Sequence, residues 1–131
     1  MSAARRQTIH QTASVSGIGL HLGQPVTLRF EPAAPNSGVV FVRGDRDGAA
    51  AIPALATHAE LADRRTQLGS GDDAFHTVEH VLAAVGALQI DDIRIVMDAA
   101  EPPIADGSSQ VFVDALHNAG VIQHGGPARY V

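Results

Sequence analysis

The chain of 131 residues has no cysteine, no lysine and no tryptophan, and its aromatic side chains are four phenylalanines and one tyrosine. Without cysteine there is no disulfide framework, no thiolate metal site and no thiol nucleophile. Without lysine there is no Schiff base and no lysine general base, so all nine basic side chains are arginine. The shortage of aromatics removes a base-stacking platform, and a net charge of −5 runs against the basic stripe of a nucleic-acid binder. No apolar run approaches the ~18 residues of a membrane span. No basic leader with an apolar core precedes the first strand-like segment, which sets the expectation of a cytoplasmic protein. What remains is 45% hydrophobic residues in a chain long enough to bury one core.

Those hydrophobic residues are patterned. Arg5 to Ala13 alternates loosely as a first strand. Ser14 to Gly23 is a glycine-punctuated turn, read either as a hairpin whose glycines take positive φ or as backbone approaching a ligand beside His21. Pro25 to Glu31 alternates cleanly, with Val26, Leu28 and Phe30 inward, and Val39 to Arg43 is the returning strand. Ala49 to Ala56 reads as an edge strand interrupted by Pro53, and His58 to Asp73 is the least regular stretch. Within it, Arg64 and Arg65 read as a solvated surface or as an anion site. Asp91 to Asp98 is a further strand, and a rigid loop from Glu101 to Ser109 leads into a helix with the stripe Val111, Phe112, Ala115, Leu116 and Ala119. Asp106 or Ser108 suits the cap of that helix and Gly120 its end, with short β segments at Val121–Gln123 and Ala128–Val131. The sum is an α+β fold: a two-layer sandwich in which an antiparallel-rich mixed sheet carries two helices on one face.

The chemistry concentrates in Phe75 to Leu88, read as the other helix. Val78, Val81, Leu82, Val85 and Leu88 make its apolar stripe, with Thr77 as the expected N-cap and Glu79 in the first turn. His80 is expected nearly opposite the stripe, beside Ala83, Ala84 and Ala87, and the helix dipole keeps its imidazole neutral and able to bind metal. His76-Thr77-Val78-Glu79-His80 also fits H-x-x-E-H, in which two histidines hold zinc and the glutamate activates water. That alternative needs a third ligand, for which Glu101, Asp106, Asp114, His117 and His124 are the downstream candidates. A reading of another class is a non-catalytic module that pairs through the His80, Ala84 and Ala87 face.

Four segments in register resemble the bacterial UDP-3-O-acyl-N-acetylglucosamine deacetylases of lipid A synthesis, the LpxC family. They are Ser16-Gly17-Ile18-Gly19-Leu20-His21-Leu22-Gly23, Asp63 to Gly69, Thr77-Val78-Glu79-His80 running to Ile90-Asp91-Asp92, and Glu101-Pro102-Pro103-Ile104-Ala105-Asp106-Gly107-Ser108. The resemblance implies that His80 is one zinc ligand and Glu79 the general base that activates water against the N-acetyl group. It leaves His76 a bystander. More weakly, it places Leu20 and His21, and Arg65, Thr66 and Leu68, along the passage of the UDP-linked acylated glucosamine. It also implies two similar α+β domains facing one another across the site. Residues 1–131 match the first, and the second supplies the remaining ligands, so this chain alone is expected to bind zinc weakly and to be inactive.

Overall fold

Alternation along Pro25–Pro32 buries Val26, Leu28 and Phe30 and leaves Thr27 and Arg29 exposed, as a strand with one covered face requires. In the computed structural model this strand is β3. The structure describes residues 5–46, 48, 51–54, 60–62, 65–68, 74–105 and 107–127, with side chains for all of these except 5, 60–62, 65–68 and 125–127. The expectations for Asp63, Arg64, Asp106 and Ala128–Val131 lie outside the described residues.

The main sheet has five strands in the order β2 (Ala13–Ile18), β3, β9 (Ile93–Met97), β4 (Val39–Arg43) and β5 (Ile52–Pro53). Its pairings are antiparallel except β4 with β9, which is parallel. A parallel neighbour needs a long crossover, and the connection from β4 to β9 carries β5, the small sheet β6 (Glu60–Ala62), β7 (Arg65–Leu68) and β8 (Phe75–His76), and helix α1 (Glu79–Ala87). Register aligns Leu28 with Met97, and Phe30 and Phe41 with Ile95, so their side chains share one face. Both helices, α1 and α2 (Gln110–Ala119), cover that face. Phe112 of α2 meets Phe30 edge-on at 6.4 Å, and Val81, Ala84 and Val85 of α1 join the same core. The α+β sandwich with helices on one face is therefore the architecture of the chain.

A two-stranded ribbon, β1 (Arg5–Ile9) with β10 (Val121–Pro127), closes the two ends of the described chain against each other. Asp92, fully buried, ties the ribbon down. Its oxygens accept from Arg6 Nε at 2.8 Å and Arg6 Nη2 at 2.6 Å, from the Gly38 N–H at 2.9 Å, and meet His124 Nε2 at 2.8 Å. Burial acts to raise its pKa, but the Arg6 guanidinium, the Gly38 N–H and His124 outweigh burial and hold it at about 2.

Several expectations are corrected. Arg5 to Ala13 is two strands, parted at residues 10–12. The irregular stretch before residue 74 contains β6 and β7, and the start of the expected Phe75–Leu88 helix is strand β8. Thr77 does not cap α1. The N-cap position is Val78, with no side-chain cap, and Thr77 sits in the left-handed region at φ 59°. For α2 the N-cap position is Ser109, while the Ser108 hydroxyl accepts from the Gln110 N–H at 3.2 Å, and Gly120 ends the helix at φ 84° as expected.

Candidate active site

Glu101 is 2% exposed in a loop whose next two residues, Pro102 and Pro103, are buried. A carboxylate there must find donors within reach, and four converge on it. Oε1 accepts the backbone N–H of His21 at 2.7 Å and of Leu22 at 3.1 Å, while Oε2 accepts the Thr77 hydroxyl at 2.8 Å and meets His21 Nδ1 at 2.7 Å. Burial pushes the Glu101 pKa up, but the Leu22 N–H, the His21 ring, the Thr77 hydroxyl and the His21 N–H together bring it below the ordinary carboxylate value. Glu101 is thus an anion sewn into the fold.

The glycines of the 16–23 segment make this approach possible. A Cβ on Gly19 would stand 2.6 Å from Glu101 Oε1, and one on Gly17 2.9 Å from Pro103 Cβ. Both glycines exist so that their backbone can lie against the Glu101–Pro103 loop, to which Gly19 is bridged opposite Pro103. Neither of these two has positive φ, but Gly23 does, at 66°, in the turn that joins the antiparallel strands β2 and β3. The hairpin reading of this segment holds there, while Gly17 and Gly19 serve a close approach to the protein's own chain. Beyond the bridge, Leu20 is 56% and Leu22 46% exposed, flanking a His21 side chain that is 43% exposed.

Thr77 connects this cluster to α1. A β-branched residue at positive φ is costly, and the buried hydroxyl bound to Glu101 accounts for what holds it there. Two residues later α1 begins with Glu79 and His80, both half-buried. The buried arc of the helix includes Ala84, at 0% exposure, while Ala83, Gly86 and Ala87 are exposed. Residues four apart share a helix side. Glu79 therefore heads the exposed Ala83 side, and His80 stands over the buried Ala84, at the flank of the core rather than opposite it. The proposed pairing surface of His80, Ala84 and Ala87 is broken at Ala84 and is not continuous.

His76 lies on β8, with its N–H bound to the Ala100 carbonyl at 2.8 Å, and the turn at Thr77 separates it from α1. His76 and His80 are consequently not two positions of one helix face, which the H-x-x-E-H mechanism requires. Of the other candidate ligands, Glu101 is fully engaged, Asp114 accepts from Gln110 Nε2 at 2.7 Å and His124 is held by Asp92, while His117 lies exposed on α2. Arg65, Thr66 and Leu68 fall on β7, paired through Gln67 and Leu68 to His76 and Phe75. Among the described residues no group of three or more histidines, cysteines or acids could hold a metal ion. Zinc takes about three protein ligands in a catalytic site, so the described residues do not make a zinc site by themselves. His80 can serve as one contact of such a site.

The family model for UDP-3-O-acyl N-acetylglycosamine deacetylase, LpxC, matches residues 6–131. The chain belongs to this family. It is 44% identical over 126 residues to a bifunctional enzyme LpxC/FabZ of Chlorobaculum tepidum, covering 96% of this chain and 27% of that protein. It is 37% identical over 125 residues to the UDP-3-O-acyl-N-acetylglucosamine deacetylase of Bdellovibrio bacteriovorus, covering 95% of this chain and 41% of that enzyme. To the enzyme of the same name from Chlamydia abortus it is 43% identical over 116 residues, or 88% of this chain and 41% of that enzyme. The chain thus spans less than half the length of these relatives. Among the described residues no helix is long and apolar enough to cross a membrane.

Sequence reasoning singled out Glu79, His80 and His21 but gave Glu101 no role beyond a spare ligand and the first residue of a matching segment. The signal lay in the pairing of Gly17-Ile18-Gly19 with Glu101-Pro102-Pro103, since an acid in a rigid apolar loop needs donors and two bare backbone positions allow them to arrive.

Proposed function

We propose that this chain forms one half of the active site of a cytoplasmic, zinc-dependent UDP-3-O-acyl-N-acetylglucosamine deacetylase of lipid A synthesis. In this reading residues 1–131 act as the N-terminal domain, and a second domain of similar fold supplies the other half. Glu79 is the general base and His80 one zinc contact. The observation that carries the reading is their adjacency in the first turn of α1, which sets a carboxylate beside an imidazole at the helix end most favourable to negative charge. Zinc, when bound, supplies electrophilic activation. Glu79 takes the proton of the attacking water and returns it to the departing amine as the acetyl C–N bond breaks. His21, with Leu20, and the β7 residues Arg65, Thr66 and Leu68 line the approach of the UDP-linked acylated sugar.

The test combines this chain with the complementary remainder of a relative such as the Bdellovibrio enzyme and follows acetate release from UDP-3-O-acyl-N-acetylglucosamine. Glu79→Gln is expected to cut turnover by ~10²–10⁴-fold with zinc retained, the size of a lost general base. His80→Ala is expected to lower zinc content, and His76→Ala to leave it unchanged. Full turnover in Glu79→Gln, or equal metal loss in His76→Ala and His80→Ala, contradicts the assignment.

A further inference from the structure

The donor pattern around Glu101 determines more than its own ionisation. A carboxylate held below its ordinary pKa is acceptor-only, so the 2.7 Å contact between its Oε2 and His21 Nδ1 requires the ring hydrogen to sit on Nδ1. The Thr77 hydroxyl gives its hydrogen to the same Oε2. Its oxygen therefore faces His21 Nδ1 at 3.2 Å as a second, longer acceptor, which is consistent with Nδ1–H and not with a bare nitrogen. The ring is held at one nitrogen, while Nε2 has no hydrogen-bond partner among the described residues and the side chain is 43% exposed.

We propose that Glu101 is a positioning residue: it holds the Nδ1–H of His21, so that in the ring's neutral form Nε2 is the bare nitrogen and is presented outward as a hydrogen-bond acceptor. A histidine whose Nδ1–H is bound to a carboxylate has its orientation and its free nitrogen set by that bond. The acceptor suits a hydroxyl or amide N–H of a sugar lying over Leu20 and Leu22, and in this respect the inference rests on the deacetylase reading. The geometry of the tautomer does not. Through Thr77 the same carboxylate anchors the turn that delivers Glu79 and His80, so the imidazole and the start of α1 are registered to one group.

The test is long-range proton–nitrogen correlation spectroscopy of the histidine rings of the metal-free chain, followed to the high-pH plateau where each ring is neutral. His21 is expected to show a protonated Nδ1 and a bare Nε2, in contrast to exposed His117, which is expected to show the Nε2–H form that free histidine favours. In Glu101→Gln, the amide nitrogen must oppose one pair of donors, and His21 is expected to shift toward Nε2–H. In Thr77→Ala, which leaves the His21–Glu101 bond in place, the Nδ1–H form is expected to persist. A wild-type His21 with its proton on Nε2, an unchanged tautomer in Glu101→Gln, or loss of the Nδ1–H form in Thr77→Ala overturns the proposal. Should Glu101→Gln not fold, the wild-type and Thr77→Ala spectra still decide it. No metal or substrate enters the experiment, so a failed deacetylase assay and a failed tautomer assignment are separate outcomes.

Discussion

Two buried carboxylates, Asp92 and Glu101, divide the labour of this chain. Each has both oxygens fully engaged, and each is held more acidic than usual against the effect of burial. They differ in what they hold. Asp92 is paired with a guanidinium that is always charged, and its partners Arg6, Gly38 and His124 come from the ribbon and a sheet turn. Glu101 has no arginine. Its partners are two backbone N–H groups, a hydroxyl and a half-exposed imidazole, all bordering the start of α1. A carboxylate that only fastens the fold can be neutralised by a fixed cation. One that fixes a ring with an open nitrogen is met by backbone N–H groups, a hydroxyl and the ring itself, with no guanidinium, and a side chain facing solvent remains available for chemistry.

The contrast can be broken most severely at Asp92. Asp92→Ala strands Arg6 beside a buried, vacated position, and a loss of about 3 kcal/mol in urea unfolding is expected, the scale of breaking a buried pair. The His21 ring signals should not change. Glu101→Gln is expected to cost about 2 kcal/mol, because an amide cannot receive four donors, and here the His21 tautomer should move. Gly19→Ala should cost a similar ~2 kcal/mol by driving a methyl group into the Glu101 carboxylate, and it should disturb the same His21 signals from the opposite side of the contact.

Acid unfolding sharpens the comparison further. Asp92 has its folded pKa lowered from 3.8 to about 2. Its contribution is therefore complete above its unfolded pKa and is lost as the pH falls through the folded one. Stability should drop by about 2 kcal/mol between roughly pH 4 and pH 2 on this account. Glu101 is shifted in the same direction and adds to the same acid-side loss. In Asp92→Ala this slope should flatten. Thr77→Ala is the mildest change. It removes one of four donors but also relieves a β-branched residue at φ 59°, and a net loss under ~1 kcal/mol is expected.

Much of the fold was legible because β3 and β9 are long enough for alternation to show and α2 carries a plain apolar stripe, whereas β4, an unbroken apolar run expected to return beside β3, pairs with β9 instead. The strands β5, β6 and β8 have two or three residues each, too few for a period to register. Their pairing is decided by chain topology. The ribbon of β1 with β10 pairs residues more than a hundred positions apart, such as Ile9 with Val121, which no local pattern announces. At α1 the local rules pointed the wrong way. Thr77 has the chemistry of an N-cap, but its hydroxyl is drawn to Glu101, 24 residues on. Ala84 reads as a surface residue by size, yet it is where α1 enters the core beside α2. The adjacent Glu79 and His80 were visible as a motif. The carboxylate that organises their surroundings was not, because its partners are brought together only by the fold.

The most direct test of the central claim is the zinc content of the purified 131-residue chain, alone and after combination with the complementary part of a relative. The account predicts substoichiometric zinc in the chain alone, rising toward one per complex on combination, with the gain lost in His80→Ala. One tightly held zinc per chain in the absence of any partner would contradict it.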